Sequence, residues 1–331
     1  MKTVDTKSAD AKSVADLSPR RRELFEALLR EARTENPANG RTGIRPTPNA
    51  DDYPLTAAQE SLWVIDRLQP GNAAYNISLA RRFRGPLSVE AMQASLNEVL
   101  RRHETLRTVF TNRDAKTVQI VLPDQTLDID YKDLAEFPVE AREEEARRFA
   151  LEATKRAFDL QRFPLLRVCL IRLDTEDHVL FLVIHHIISD GWSLSLFFRE
   201  MASLYESMLE AKASPLSALP IQYRDYAVWE RDQLEGGLFD QELAYWKHQL
   251  FDAPAYLDLP ADRPRRDAHH RGGATHLKAI PPRVHEGLKS LSRTEGATLF
   301  MTLLAAFDIL LYLYTSQDDV VIGSAAAGRE N

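Results

Sequence analysis

The feature that most restricts the fold is a pair of apolar runs, Leu166 to Leu173 and Val179 to Ile184, separated by the turn "DTEDH" and followed at once by "HHIISDGW". Runs this short, bounded by a turn, read as two paired strands in a core rather than as a helix. A long helix, from about Leu194 to Leu209, is expected after the second strand. The chain thus ends a buried strand on two titratable rings.

Successive strand side chains point to opposite faces, so His185 and His186 do not serve one site together. One ring turns inward and the other faces a cleft. Asp190, past a bend, is suited to orient a ring or to pair with a cation, and Gly191 allows a backbone conformation denied to other residues. The pattern is that of a positioned base. Three rival readings use the same residues. Both histidines can be satisfied polar groups at a strand end. Histidine with a carboxylate is a common metal-ligand set, but a third convergent ligand is needed and the other histidines show no metal-binding spacing. A Ser-His-Asp hydrolase calls for a nucleophile elbow, and no GxSxG occurs.

The segments before the hairpin mix the periods of helix and strand. Thr56 and Gln59 in "LTAAQESLW" have capping-box spacing for a helix ending near Leu68. "YNISLARRFRG" reads as a strand, and Ser88 precedes a helix whose inner face is Val89, Met92, Leu96, Val99 and Leu100. "RRHETLRTVF" closes that helix and opens a strand, "TVQIVL" alternates like a half-buried strand, and "VEAREEEARRFALEATKRAF" is a charged helix. This order implies a layered α/β lobe over residues 51–222. Over 223–331 the pattern restarts with a helix "QELAYWKHQL", a strand "ATHLKAI", two helices ending at Tyr314 and a strand "DVVIG", as in a second lobe cut off early. Residues 1–50 are polar and punctuated by Pro, Gly and Asn like a flexible linker, with one short helix capped by Ser18 and opened by Pro19.

Composition restricts the partners. A net charge of -7, from 42 basic and 49 acidic side chains, gives no electrostatic footprint for nucleic acid or an anionic membrane. The longest apolar stretch, Leu299 to Tyr314, holds Asp308 and falls short of the roughly 20 residues that span a bilayer, so it reads as a buried helix. The first residues lack the apolar core of a secretory signal. Cys169 is the only cysteine, which excludes an internal disulfide and fits a reducing cytoplasm.

From about Tyr53 onward the chain resembles the condensation domain of nonribosomal peptide synthetases, a family related to chloramphenicol acetyltransferase. The resemblance is carried, in order, by "LTAAQESLW", "RRHETLRTVF", "HHIISDGW" with the family's HHxxxDG form, "YRDYAVWE" and "VVIGSAAAGRE". It implies a chloramphenicol acetyltransferase-like α/β lobe of mixed sheet with flanking helices, plus an incomplete second lobe of the same type. The implied reaction is amide bond formation, in which a donor thioester on one carrier protein is attacked by the amine of an aminoacyl thioester on another. The domain itself would bind no cofactor or metal; 4'-phosphopantetheine arrives on upstream and downstream peptidyl carrier proteins, and an adenylation domain of the same synthetase is a further partner.

By the same resemblance His186 is the catalytic group and His185 is structural. Asp190 is expected in an ion pair with Arg107 or Arg102, Arg107 being better placed at the start of a strand. Gly191 offers either its backbone N–H or only turn geometry, Trp229 packs at the lobe junction, and Gln59 and Trp63 frame the core or a tunnel. "PGNAAYNI" and "RRHETLRTVF" look like the subtype that takes an L-configured donor. Two alternatives stay open: an epimerisation domain, which shares the histidine motif, and a noncatalytic relative that recruits partner proteins. Because the family's second lobe continues beyond "AAAGREN", these 331 residues alone are expected to be poorly active and to expose apolar surface on that lobe.

Overall fold

The computed structural model describes residues 43–261 and 276–324. The Ser18 helix, the start of "ATHLKAI" and most of "SAAAGREN" lie outside the described residues. The chain forms two compact units, one running to Leu238 and one starting at Phe239. That division falls later than residue 222, because the segment "YRDYAVWE" is a helix of the first unit.

In the first unit the order is β1 (Tyr53–Pro54), α1 (Ala57–Leu68), β2 (Asn76–Arg84), α2 (Val89–Arg102), a 3-10 turn (Glu104–Arg107), β3 (Thr108–Arg113), β4 (Lys116–Val121), β5 (Asp130–Asp133) and α3 (Val139–Lys155). The hairpin β6 (Leu166–Asp174) and β7 (Asp177–His185) follows, then a second 3-10 turn (His186–Ile188), α4 (Gly191–Leu209) and α5 (Tyr223–Glu235). The strands make a small antiparallel sheet in the order β1-β4-β3 and a mixed sheet in the order β2-β7-β6-β5. In the mixed sheet only β5 runs parallel to its neighbour, β6.

The hairpin sits in the middle of the mixed sheet, which is why its sequence is so apolar. Leu180, Leu182, Val183 and Ile184 of β7 are at most 1% exposed, as expected for a strand covered on both faces. On one face Leu170, Leu180 and Leu182 share a core with Leu96, Val99 and Leu100 of α2 and with Phe197, Met201 and Leu204 of α4. On the other, Ile171 and Leu173 of β6 pack with Leu134 and with Ala146 of α3. The two-residue alternation of β6 sorts its side chains between these clusters.

Two short strands, β1 and β5, are not foreshadowed in the sequence, being 2 and 4 residues long. The helix after the histidines starts at Gly191 rather than Leu194, because Asp190 caps it.

The second unit contains α6 (Asp240–Gln249), α7 (Pro282–Thr294) and α8 (Leu299–Thr315). Residues 276–280 and 319–323 are irregular, so the two strands expected there are not formed among the described residues. A strand needs a paired neighbour for its backbone groups. The expectation that the apolar stretch from Leu299 is buried is also corrected. Of α8 only Leu311 is buried, while Phe300, Ile309 and Leu313 are exposed. No single described helix is long and apolar enough to cross a membrane.

Candidate functional site at the end of strand β7

Strand β7 carries both histidines to one end of the mixed sheet. His185 is its last residue and is 4% exposed. The ring meets Phe158 edge-on at 6.2 Å, and the Arg167 guanidinium lies 3.7 Å from the centre of that phenyl ring. Nδ1 of His185 accepts the backbone N–H of Ile187 at 3.1 Å, which leaves the ring proton on Nε2. Burial, and after it the neighbouring His186, pushes the His185 pKa down to about 4, so the ring is neutral near pH 7.

His186 opens the 3-10 turn, and its ring is exposed. The turn is fixed through its backbone. The His186 N–H donates to the Tyr75 carbonyl at 2.9 Å, and the His185 N–H donates to the Leu165 carbonyl at 3.0 Å. Gln59 Nε2 donates to the Ile187 carbonyl at 3.3 Å, and Thr105 Oγ1 donates to the Ile188 carbonyl at 3.4 Å. An imidazole is thus presented to solvent on a turn held from the residue before β2, from α1 and from the turn after α2.

Asp190 is the N-cap of α4, and its Oδ1 accepts the Ser193 N–H at 2.7 Å and the Ser193 hydroxyl at 2.6 Å. The expected ion pair with Arg107 or Arg102 is replaced by other pairings. Arg107 bonds the Leu122 carbonyl and lies 3.6 Å from Glu104, across one turn of the 3-10 segment. Arg102 pairs with Glu200 of α4 at 3.1 Å. Arg107 thus meets a carboxylate of its own 3-10 segment, and Arg102 meets one that the packing of α4 against α2 brings to it. Gly191 is corrected too: as the first residue of α4 it has no left-handed φ, and an added Cβ would meet nothing within 4 Å. Its missing side chain leaves open space rather than enabling a turn.

Within the first unit, the segments "LTAAQESLW", "RRHETLRTVF" and "YRDYAVWE" are tied to one another beside this turn. Trp229 is 9% exposed and stacks with Tyr226 of the same helix at 5.6 Å. From α5, Arg224 pairs with Glu104 at 3.0 Å and Tyr223 shares a 3.4 Å contact with the Thr56 hydroxyl. Gln222, just before α5, donates to the Arg102 carbonyl at 3.0 Å. Trp63 is buried in the main core. The ties made by Gln59, Thr105 and Tyr75 are not foreseen from sequence. The one available signal was the amide at Gln59, which carries a donor that a helix cap does not use.

Among the described residues no three His, Cys, Asp or Glu side chains are placed to hold a metal. A hollow of about 360 Å³ floored by Phe83, Met92 and Leu180 lies toward the opposite end of β2 and β7, where Arg84 faces Asp177, and not beside His186.

A family model for the condensation domain matches residues 49–331. The chain is 45% identical over 295 residues to a component of the linear gramicidin synthase of Brevibacillus parabrevis, covering 88% of this chain and 4% of that protein. It is 38% identical over 317 residues to the phosphinothricin tripeptide synthetase PhsC of Streptomyces viridochromogenes, covering 96% of this chain and 29% of that one. The chain therefore spans a small part of the length of the curated relatives it matches. Among solved structures, the X-domain in its complex with OxyB from teicoplanin biosynthesis superposes with a TM-score of 0.70 at 28% identity, over 84% of this chain and 60% of that one. The first condensation domain of the CDA synthetase superposes with a TM-score of 0.66 at 22% identity, over 84% and 67%, and so supports the fold. The chain belongs to the condensation-domain family of nonribosomal peptide synthetases.

Proposed function

We propose that this chain joins two carrier-bound substrates through an amide bond, with His186 at the reacting centre. Condensation domains of nonribosomal peptide synthetases catalyse amide bond formation. Here the donor is an aminoacyl or peptidyl thioester on the phosphopantetheine arm of an upstream peptidyl carrier protein. The acceptor is an aminoacyl thioester on a downstream carrier, charged by an adenylation domain of the same synthetase. The acceptor nitrogen attacks the thioester carbonyl, a C–N bond forms, the C–S bond breaks, and the proton lost from the amine ends on the departing thiolate. An exposed imidazole can relay that proton or hold the amine by a hydrogen bond.

The single observation that carries this reading is the division of labour between neighbours: His185 buried, neutral and bonded to the Ile187 N–H, His186 exposed on the turn that follows. Asp190 and Gly191 support the site as the cap and first residue of α4. Cys169 is half-buried and desolvation pushes its thiol up to about 11, which is consistent with work in the cytoplasm, where an inert lone thiol is no liability.

The test loads two carrier proteins with donor and acceptor aminoacyl thioesters and follows the dipeptidyl product by mass spectrometry, using the synthetase segment that carries this chain and its His186→Ala variant. Product that disappears in the variant supports the reading. Equal product from both removes His186 from the reaction, and carrier binding without turnover in either points to a recruiting relative.

A further inference from the structure

We infer that Gln59 is a positioning residue for His186, acting through the Ile187 carbonyl, and that its amide does there what a carboxylate cannot. The inference rests on the role proposed for His186.

Gln59 occupies the third position of α1 and is 2% exposed. Both ends of its amide are used. Oε1 accepts the Thr56 N–H at 3.1 Å, while the Thr56 hydroxyl accepts the Gln59 N–H at 3.2 Å, which completes a capping box. Nε2 donates to the Ile187 carbonyl at 3.3 Å. A capping box needs only an acceptor from this side chain, so Glu serves it as well as Gln. The donor end is superfluous to the helix and is directed wholly at the histidine turn.

Ile187 follows His186 directly, and both of its backbone polar groups end on side chains, the N–H on His185 Nδ1 and the carbonyl on Gln59. The residue that follows His186 is therefore clamped between two buried side chains, one on the peptide before it and one on the peptide after it. The anchor at the far side is itself braced. Gln119 Nε2 donates to the Pro54 carbonyl at 2.8 Å, and Glu230 of α5 accepts the Ala57 N–H at 2.7 Å. A buried carbonyl stripped of its donor finds no water to replace it. The turn would shift to relieve that loss, and His186 would shift with it.

The test compares Gln59→Glu, Gln59→Met and His186→Ala in the carrier-loaded condensation assay, with kcat and KM measured between about pH 6 and 9 and each melting temperature recorded. Gln59→Glu keeps the cap. Burial raises the introduced carboxyl's pKa, so at the acid end it is protonated and donates to Ile187, and at the alkaline end it is ionised and repels that carbonyl. Its kcat is expected to stay near wild type at the acid end and to fall roughly 10- to 100-fold toward the alkaline end, with KM for the loaded carriers within about twofold. Gln59→Met lowers kcat at every pH without a new pH dependence. Wild-type kcat and pH profile in both variants overturns the inference. So does loss of folding in both, which makes Gln59 part of the scaffold alone. Full activity in His186→Ala overturns the reading of His186, and this inference with it.

Discussion

Ile187 donates its backbone N–H to Nδ1 of His185 at 3.1 Å, so the buried ring of the first histidine braces the turn that exposes the second. Two identical side chains in sequence therefore do opposite work. The neutral form of His185 is the one that supplies the acceptor, and burial against Phe158 keeps it neutral.

That dependence makes stability sensitive to acid. The folded pKa of about 4 lies below the unfolded value of 6.5, so the unfolded chain binds the extra proton first. Stability from this group is complete above the unfolded pKa and drains away as pH falls toward the folded one, by roughly 3 kcal/mol in all. Urea unfolding of the wild type should weaken across that window more steeply than that of His185→Asn, which keeps an acceptor near the Nδ1 position but has nothing to titrate. Equal slopes in the two proteins would show that His185 is not held neutral by the fold.

Asp190 is expected to matter first as a helix cap. Its Oδ1 holds both the N–H and the hydroxyl of Ser193, and removing such a cap costs about 1–2 kcal/mol. Asp190→Asn retains an acceptor and should recover most of the stability that Asp190→Ala loses, read from the denaturation midpoint at constant slope. If the two variants are equally unstable, the negative charge rather than the cap is what α4 needs.

How far the sequence reaches can be judged at these same residues. The period of two predicts that His185 and His186 face apart, and the box spacing of Thr56 and Gln59 locates the start of α1, because both rules act within a few residues of chain. The choices made across the fold were out of reach. Arg102 and Arg107 met Glu200 and Glu104 rather than Asp190, since which carboxylate an arginine meets depends on how α2 and α4 pack. The donor end of Gln59 found a partner 128 positions away, a distance at which spacing carries no signal. β1 and β5 are too short to show a period at all.

The pairing that replaced the expected one makes a prediction of its own. Glu200 accepts from Arg102 Nε at 3.1 Å and sits 2.6 Å from His103 Nε2, with its side chain 7% exposed. Removing one member of a buried pair leaves the other charge without compensation, at a cost of about 3–5 kcal/mol. Glu200→Ala should lose stability on that scale by urea unfolding, while the double variant Glu200→Met with Arg102→Met should regain a large part of it. A double variant no better than the single one would mean that packing between α2 and α4, rather than the stranded guanidinium, dominates.

Helix α8 poses a different question, because an apolar surface on all sides is the mark of a helix meant to be covered. Phe300 is 59% exposed, Ile309 61% and Leu313 71%. These 331 residues should therefore self-associate with rising concentration, and replacing Ile309 and Leu313 by Lys should reduce that association, measured by sedimentation, without lowering the melting temperature. The same substitutions in a chain extended to the length of its solved neighbours should instead destabilise it by about 2–5 kcal/mol, as lysines do when they displace packed aliphatic side chains. Loss of stability in the extended chain and its absence in the shorter one would identify this face as covered by downstream sequence. Equal tolerance in both would leave α8 as a surface helix.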